Sequence, residues 1–198
     1  MRLRRLRRSE LPVASTALAR FLIGKTLVRT VRGGRMLGRI VESEAYLPGD
    51  AACHAFGGMT PRNRALFMRP GHAYVYFIYG NHFMLNVSGE EAGVGGGVLL
   101  RAAEPLEGLE LMEARRGAVR KRDLARGPGR LAQAFDVDRR LDGVDLCGPG
   151  PLWLGTPLGP AGRVGRSVRI GISKDAHRRL RFYERGSAFV SGPAALCK

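Results

Sequence analysis

Apolar residues at Ala14, Ala17, Leu18, Phe21 and Leu22, in and just before "STALARFLIG", fall on one helical face. With Ser15 as N-cap and Gly24 just past the end, they predict a short helix that packs on a core. Beyond Gly24 the period changes to two. "KTLVRTV", a turn at Arg32 to Gly34 and "MLGRIVESEAY" predict a hairpin. In its second strand Ile40, Glu42, Glu44 and Tyr46 share one face, and Val41, Ser43 and Ala45 share the other. "AYVYFIYGNHFMLNVS", residues 73–88, is the strongest β pattern, with two aromatic and β-branched runs meeting at Gly80 and Asn81. It predicts a second hairpin with Tyr79 near its tip. Downstream, "GVLLRAAEP" (97–105) reads as a buried strand, "PLEGLELMEARRG" and "GPGRLAQAF" as helices, and "RSVRIGIS" and "RLRFYERG" as late strands. There is no internal repeat, and the Gly and Pro residues at 148–162 predict a long loop rather than a domain linker.

A chain of 198 residues with 44% hydrophobic and 25% charged positions can bury one substantial core. The expected organisation is a basic N-terminal arm, residues 1–14, and a single domain, residues 15–198. Lys and Arg total 33 against 17 Asp and Glu, a net charge of +16 that is mostly arginine. That balance calls for a polyanionic partner, nucleic acid ahead of an acidic membrane surface. No apolar run reaches the roughly 18 to 20 residues of a spanning helix, so no membrane insertion is expected. "MRLRRLRR" holds Arg2, Arg4, Arg5, Arg7 and Arg8 without a following apolar run, which predicts a mobile basic arm rather than a secretory signal. Cys53, Cys147 and Cys197 lack C-x-x-C spacing, and His54, His72, His82 and His177 lack ligand spacing. Neither a disulfide framework nor a metal is expected, and the setting reads as a reducing cytoplasm.

Two carboxylates in a half-buried strand of so basic a chain need an explanation. A salt bridge to one of the many arginines is the plain one. The sharper one makes Glu44 a general base beside Tyr46, a stacking surface for a flat aromatic substrate. Tyr79 reads either as a tip residue folded back on the sheet or as a wedge between base pairs. Tyr76 is core or a second stacking ring, and Asn86 caps a turn or reads a base edge. "GPGR", Gly127 to Arg130, is an ordinary helix start or a phosphate site made of backbone N–H groups, at Gly129 among others, plus Arg130. Of the histidines, only His54 follows closely on Glu44 and Tyr46.

Taken together, "GRIVESEAYLPGDAACHAFGG", "TPRNRALFMRPGHAYVYFIYGNHFMLNVS", "VLLRAAEPLEG", "GPGRLAQAF" and "LRFYERGS" resemble the alkyladenine (3-methyladenine) DNA glycosylase family, from about Leu18 to Ser191. The resemblance implies an α+β fold: a single mixed domain with a curved antiparallel sheet, surrounding helices and a protruding β-hairpin. It implies hydrolysis of the N-glycosidic bond of damaged purines (3-methyladenine, 7-methylguanine, hypoxanthine and ethenoadenine) flipped out of duplex DNA, leaving an abasic site. By the same likeness Glu44 would activate the attacking water, with Arg101 and the backbone carbonyl of Ile170 holding it. Tyr46, His54 and Tyr76 would line the base pocket, Asn86 would exclude the guanine 2-amino group, and Tyr79 would fill the vacated space. Arg62, Asn81, His82, Gly129 and Arg130 would contact DNA. No cofactor is implied; the partner is double-stranded DNA bearing a damaged purine, the protein a monomer, and its location cytoplasmic, nucleoid-associated if bacterial.

This assignment makes a demand on the second hairpin. A two-residue loop, Gly80 and Asn81, would put Tyr76 and Asn86 on opposite faces; sharing a face requires an odd loop, as with Gly80 to His82, which would pair 76 with 86, or a bulge, or a departure from ladder geometry. Two other readings compete: a noncatalytic lesion- or structure-selective nucleic-acid binder and a ribosome-associated basic protein. Glu44 favours the enzyme, because a binder gains nothing from an anion near phosphates.

Overall fold

The computed structural model describes residues 2–160 and 162–197; Met1 and Lys198, the outer ends of the expected arm and domain, lie outside them. After the helix α1 (Ser15–Leu22) come β1 (Thr26–Val31), β2 (Gly34–Tyr46), β3 (Ala73–Ile78), β4 (His82–Ser88) and β5 (Gly97–Glu107). The helices α2 (Leu109–Arg116) and α3 (Pro128–Ala134) precede β6 (Leu152–Gly155), β7 (Val164–Ser167) and β8 (Arg181–Glu184). All pairings are antiparallel, in the order β3-β4-β5-β2-β1-β6, with β8 on β2 and β7 on β8. The result is one mixed α+β domain around a curled sheet.

β2 organises the sheet. Its first half pairs with β1, its second half with β8, and β5 runs along the other edge. Glu42 to Glu44 are therefore flanked by strands on both sides and fully buried. The expected two-face alternation is corrected between Ile40 and Glu42. There the register steps from Ile40↔Ala103 to Glu42↔Ala102, passing over Val41, a β-bulge. Ile40 joins the main core with Ala45, Val98 and Leu100, whereas Val41 packs with Ala102 and Tyr183. Glu42, Glu44 and Tyr46 remain on one face.

α1 packs against β2 and β5, and α3 against β4 and β5. Ser15 is the first helical residue and not the N-cap; Ala14 takes that position with φ 86°. The Glu90 carboxylate accepts from the Ser15 amide (2.8 Å) and hydroxyl (2.7 Å), so a distant side chain satisfies the helix start. The loop expected at 148–162 contains β6, an edge strand paired with β1. "RSVRIGIS" is a strand only as far as Ser167; beyond it the chain crosses the end of β2, where Ile170 donates to a side chain instead of a ladder.

The segment expected to be mobile is docked. Leu6 N–H donates to Leu154 O (2.9 Å), Thr156 N–H donates to Arg4 O (2.8 Å), and Leu6 and Leu11 are buried in the main core. Arg5 lies over the Trp153 ring and Arg8 pairs with Asp145. Among the described residues no helix is long and apolar enough to cross a membrane.

Candidate active site

Two fully buried carboxylates lie side by side on β2, and the fold supplies two guanidiniums to match them. Arg101 donates through Nε to Glu42 Oε1 (2.9 Å) and through Nη1 to Glu44 Oε2 (3.2 Å). It reaches both because the β2–β5 register steps from Glu42↔Ala102 to Ser43↔Leu100 and passes over Arg101. Arg181, also fully buried, donates to Glu42 Oε1 (2.7 Å), and the Ser191 amide donates to Glu42 Oε2 (2.6 Å). Glu42 is thus saturated by two arginines and an amide. The salt bridge expected for either carboxylate is present for both, through Arg101 and Arg181 at Glu42 and through Arg101 at Glu44.

Glu44 is held differently. Its Oε1 accepts from the Ile170 amide (2.8 Å), and its Oε2 accepts from Tyr46 OH (3.1 Å) as well as from Arg101. Burial pushes the Glu44 carboxyl above the ordinary glutamate range, and Arg101 and the Ile170 amide pull it partly back. The result is a desolvated, oriented carboxylate of increased basicity. The group of Ile170 that meets Glu44 is the N–H.

The three residues that hold Glu44, namely Tyr46, Arg101 and Ile170, border a cavity of about 280 Å³ together with His54, Tyr76 and Asn86, and Cys53, Leu66, Tyr74, Met84 and Leu99 complete much of the wall. The period of two explains its composition. Tyr74, Tyr76 and Ile78 of β3 and Met84 and Asn86 of β4 point to the cavity, while Val75, Leu85 and Val87 point into the main core. Among the described residues no cluster of His, Cys, Asp and Glu could hold a metal.

The β3–β4 loop is odd, Tyr79 to Asn81, one of the arrangements that let Tyr76 and Asn86 share a face. Its register differs from the expected one: Ile78 pairs with His82, so Tyr76 lies opposite Met84, and Asn86 lies opposite Tyr74. Asn86 Nδ2 donates to Tyr74 O (3.2 Å), which fixes its amide at the cavity wall. The His54 ring meets Tyr76 edge-on at 4.4 Å, and its Nδ1 lies 2.9 Å from Tyr74 OH. Burial, and to a lesser degree Arg62, lowers the His54 pKa, which favours the neutral imidazole. The His54 carbonyl accepts from Asn63 Nδ2 (2.8 Å), but among the described residues its amide N–H has no partner and remains free for a ligand acceptor. Burial likewise pushes Tyr76 up to about 12, leaving a neutral ring.

Tyr79, 74% exposed, stands at the tip of the hairpin with φ 56°. A left-handed backbone is uncommon for a bulky residue, and such strain gathers at functional positions. Asn81 is exposed beside it, whereas His82 packs on Gly129, where a Cβ would come within 2.9 Å of the His82 ring. Gly129 thereby joins α3 to the hairpin. Arg62 and Arg130 are exposed; Arg62 reaches Phe77 O at 3.4 Å, and Arg130 has no ion-pair partner among the described residues.

Sequence reasoning missed Arg169 and Asp50. They form a buried ion pair across 119 positions, and Arg169 Cζ lies 4.6 Å from the Tyr46 ring centroid. No local pattern announces a contact of that span.

A family model described as methylpurine-DNA glycosylase matches residues 10–188. A relative from Mesorhizobium japonicum is 62% identical over 189 residues, 96% of this chain and 91% of its own length. One from Paraburkholderia phytofirmans is 56% identical over 191 residues, 96% and 90% of the two chains. One from Methanocella arvoryzae is 47% identical over 180 residues, 88% and 89%. All three bear the name "Putative 3-methyladenine DNA glycosylase".

Proposed function

Given that this chain belongs to the methylpurine-DNA glycosylase family and is a DNA repair hydrolase acting on N-glycosyl bonds, we propose that it flips damaged purines into the cavity and cleaves them with water activated by Glu44. The observation that carries this reading is Glu44 itself. A fully buried carboxylate of raised basicity is oriented by three donors, Tyr46, Arg101 and Ile170, and all three of those residues border the cavity.

A base stacked in a duplex shields its glycosidic bond, so it must leave the helix at a cost of roughly a few kcal/mol, least for damaged bases. Tyr79 entering the gap, and Tyr46 and Tyr76 stacking on the extruded base, offset that cost. Asn86 meets the purine edge, and the free His54 N–H donates to an acceptor on it. At the reacting centre the C1′–N bond breaks and its electron pair leaves with the purine. The water oxygen bonds to C1′ and its proton passes to Glu44. The transition state is oxocarbenium-like, so the same carboxylate stabilises its positive charge. Cationic purines such as 3-methyladenine and 7-methylguanine leave as neutral bases. For a neutral purine such as hypoxanthine or ethenoadenine the departing nitrogen needs stabilisation by a proton or hydrogen bond, and the neutral His54 ring is a poor source of a proton.

The test is single-turnover release of hypoxanthine, ethenoadenine, 3-methyladenine and 7-methylguanine from labelled duplexes by wild type and by Glu44→Gln. Wild type is expected to release at least one base, and the variant to bind that duplex with similar affinity while its release falls by at least about a hundredfold. Binding without release by wild type on all four would favour a noncatalytic lesion binder.

A further inference from the structure

We infer that Arg169 is a positioning residue: clamped by Asp50, it fixes the Tyr46 ring as the platform for the flipped base and, through its neighbour Ile170, fixes Glu44. The inference rests on the reading of Tyr46 and Glu44 above. Arg169 and Asp50 have fully buried side chains, and Arg169 Nη2 donates to Asp50 Oδ1 at 3.0 Å while Nη1 contacts Asp50 Oδ2. Nη1 also donates to Ala45 O (3.1 Å), and Nη2 to Asp175 O (3.4 Å). These bonds tie the residue before Tyr46, the loop after it and the segment after β7 to one guanidinium.

The guanidinium lies against a face of the Tyr46 ring. Tyr46 borders the cavity and Arg169 does not, so the cation meets the space for the base through the ring it stacks on and not directly. Arg169 Nε is buried without a hydrogen-bond partner. An unpartnered buried N–H is costly; the guanidinium that carries it has its Cζ over the Tyr46 ring, 4.6 Å from the centroid, within the range of a cation–π contact. The next residue, Ile170, gives its amide to Glu44 at 2.8 Å. Anchoring the Arg169 side chain therefore holds both the ring and the carboxylate, which is itself bonded to Tyr46 OH.

The experiment compares binding of two duplexes, one carrying hypoxanthine and one carrying a stable abasic analogue, in a Glu44→Gln background that does not release the base. The abasic duplex offers nothing for Tyr46 to stack on. Arg169→Met is expected to weaken hypoxanthine binding by about tenfold, the scale of a desolvated cation–π contact, and to leave abasic binding unchanged. With Glu44 intact the same substitution is expected to slow hypoxanthine release. Because Arg169→Met leaves Asp50 unpaired, the double variant Asp50→Asn/Arg169→Met, which removes both charges, provides the folded comparison. Equal loss on both duplexes together with a lowered Tm, or no loss on either, would overturn the inference. Wild type that releases no base would sink the reading of Glu44, and the difference between the two duplexes would still decide the role of Arg169.

Discussion

Glu44 combines two conditions that oppose each other in water: it has no solvent contact, yet it is surrounded by donors. Burial raises its pKa more than Arg101 and the Ile170 amide lower it. If ionised Glu44 is the base, excision falls as pH drops through a value above the ordinary glutamate pKa of about 4.3. A pH profile of single-turnover release checks this, and an acid limb at or below that value would contradict it. The linkage has the opposite sign for stability. A carboxyl whose folded-state pKa is raised favours the folded state below its unfolded value, and that advantage is lost as pH rises through the folded value. Glu44→Gln is therefore expected to keep or raise Tm at neutral pH, with the gain vanishing in acid. Glu44 and Tyr46 were legible as a pair because residues two apart share a strand face. Arg101 has the type expected of a partner, but its reach to both carboxylates depends on a register slip that its own neighbours do not encode.

At the scale of elements, α3 is the brace of the site. Its Pro128 borders the cavity, Gly129 receives His82, and Phe135 at its C-terminal end closes over Gly38 of β2. A Cβ on Gly38 would lie 2.6 Å from Phe135 Cζ and 3.1 Å from Ala103 Cβ. Gly38→Ala is expected to cost about 1–3 kcal/mol through overpacking and to lower Tm. Because α3 must shift to relieve the clash, lesion-duplex binding should weaken as well; an unchanged Tm would show that Phe135 has room to move. The hairpin was legible from its aromatic runs, and an odd loop was one of three ways, beside a bulge or a departure from ladder geometry, for Tyr76 and Asn86 to share a face. Its register was not, since Gly80 and Asn81 serve a two- or three-residue turn equally well; the left-handed Tyr79 makes the loop Tyr79 to Asn81.

For the whole molecule, the N-terminal segment closes the far edge of the sheet, opposite the β3–β4 hairpin. β6 pairs with β1 on one side and meets the chain at Arg5↔Gly155 on the other. The five arginines of residues 2–8 alternate with Leu3 and Leu6, and Leu6, 2% exposed, carries the segment into the core. Leu6→Ala is expected to destabilise the domain by about 2–5 kcal/mol, measurable by denaturant unfolding. A truly mobile arm would show no change. The same docking leaves exposed cations at both ends of the sheet, Arg7 at one and Arg62 and Arg130 toward the other, consistent with a polyanionic partner larger than a single nucleotide.

Local periodicity was enough to specify the main strands and helices, the Glu44–Tyr46 face, the tip position of Tyr79 and the polyanionic partner, because each depends on residue spacing or on summed charge. The bulge at Val41, the reach of Arg101, the pairing of Arg169 with Asp50 and the docking of the N-terminal segment depend on which distant segments become neighbours. Burying a charge requires a partner, and the partner can come from any point in the chain that the fold brings within about 3 Å. Spacing along a strand therefore identifies the carboxylates, and packing across the sheet selects the partners of each: two arginines and an amide for Glu42, and Arg101, Tyr46 and the Ile170 amide for Glu44.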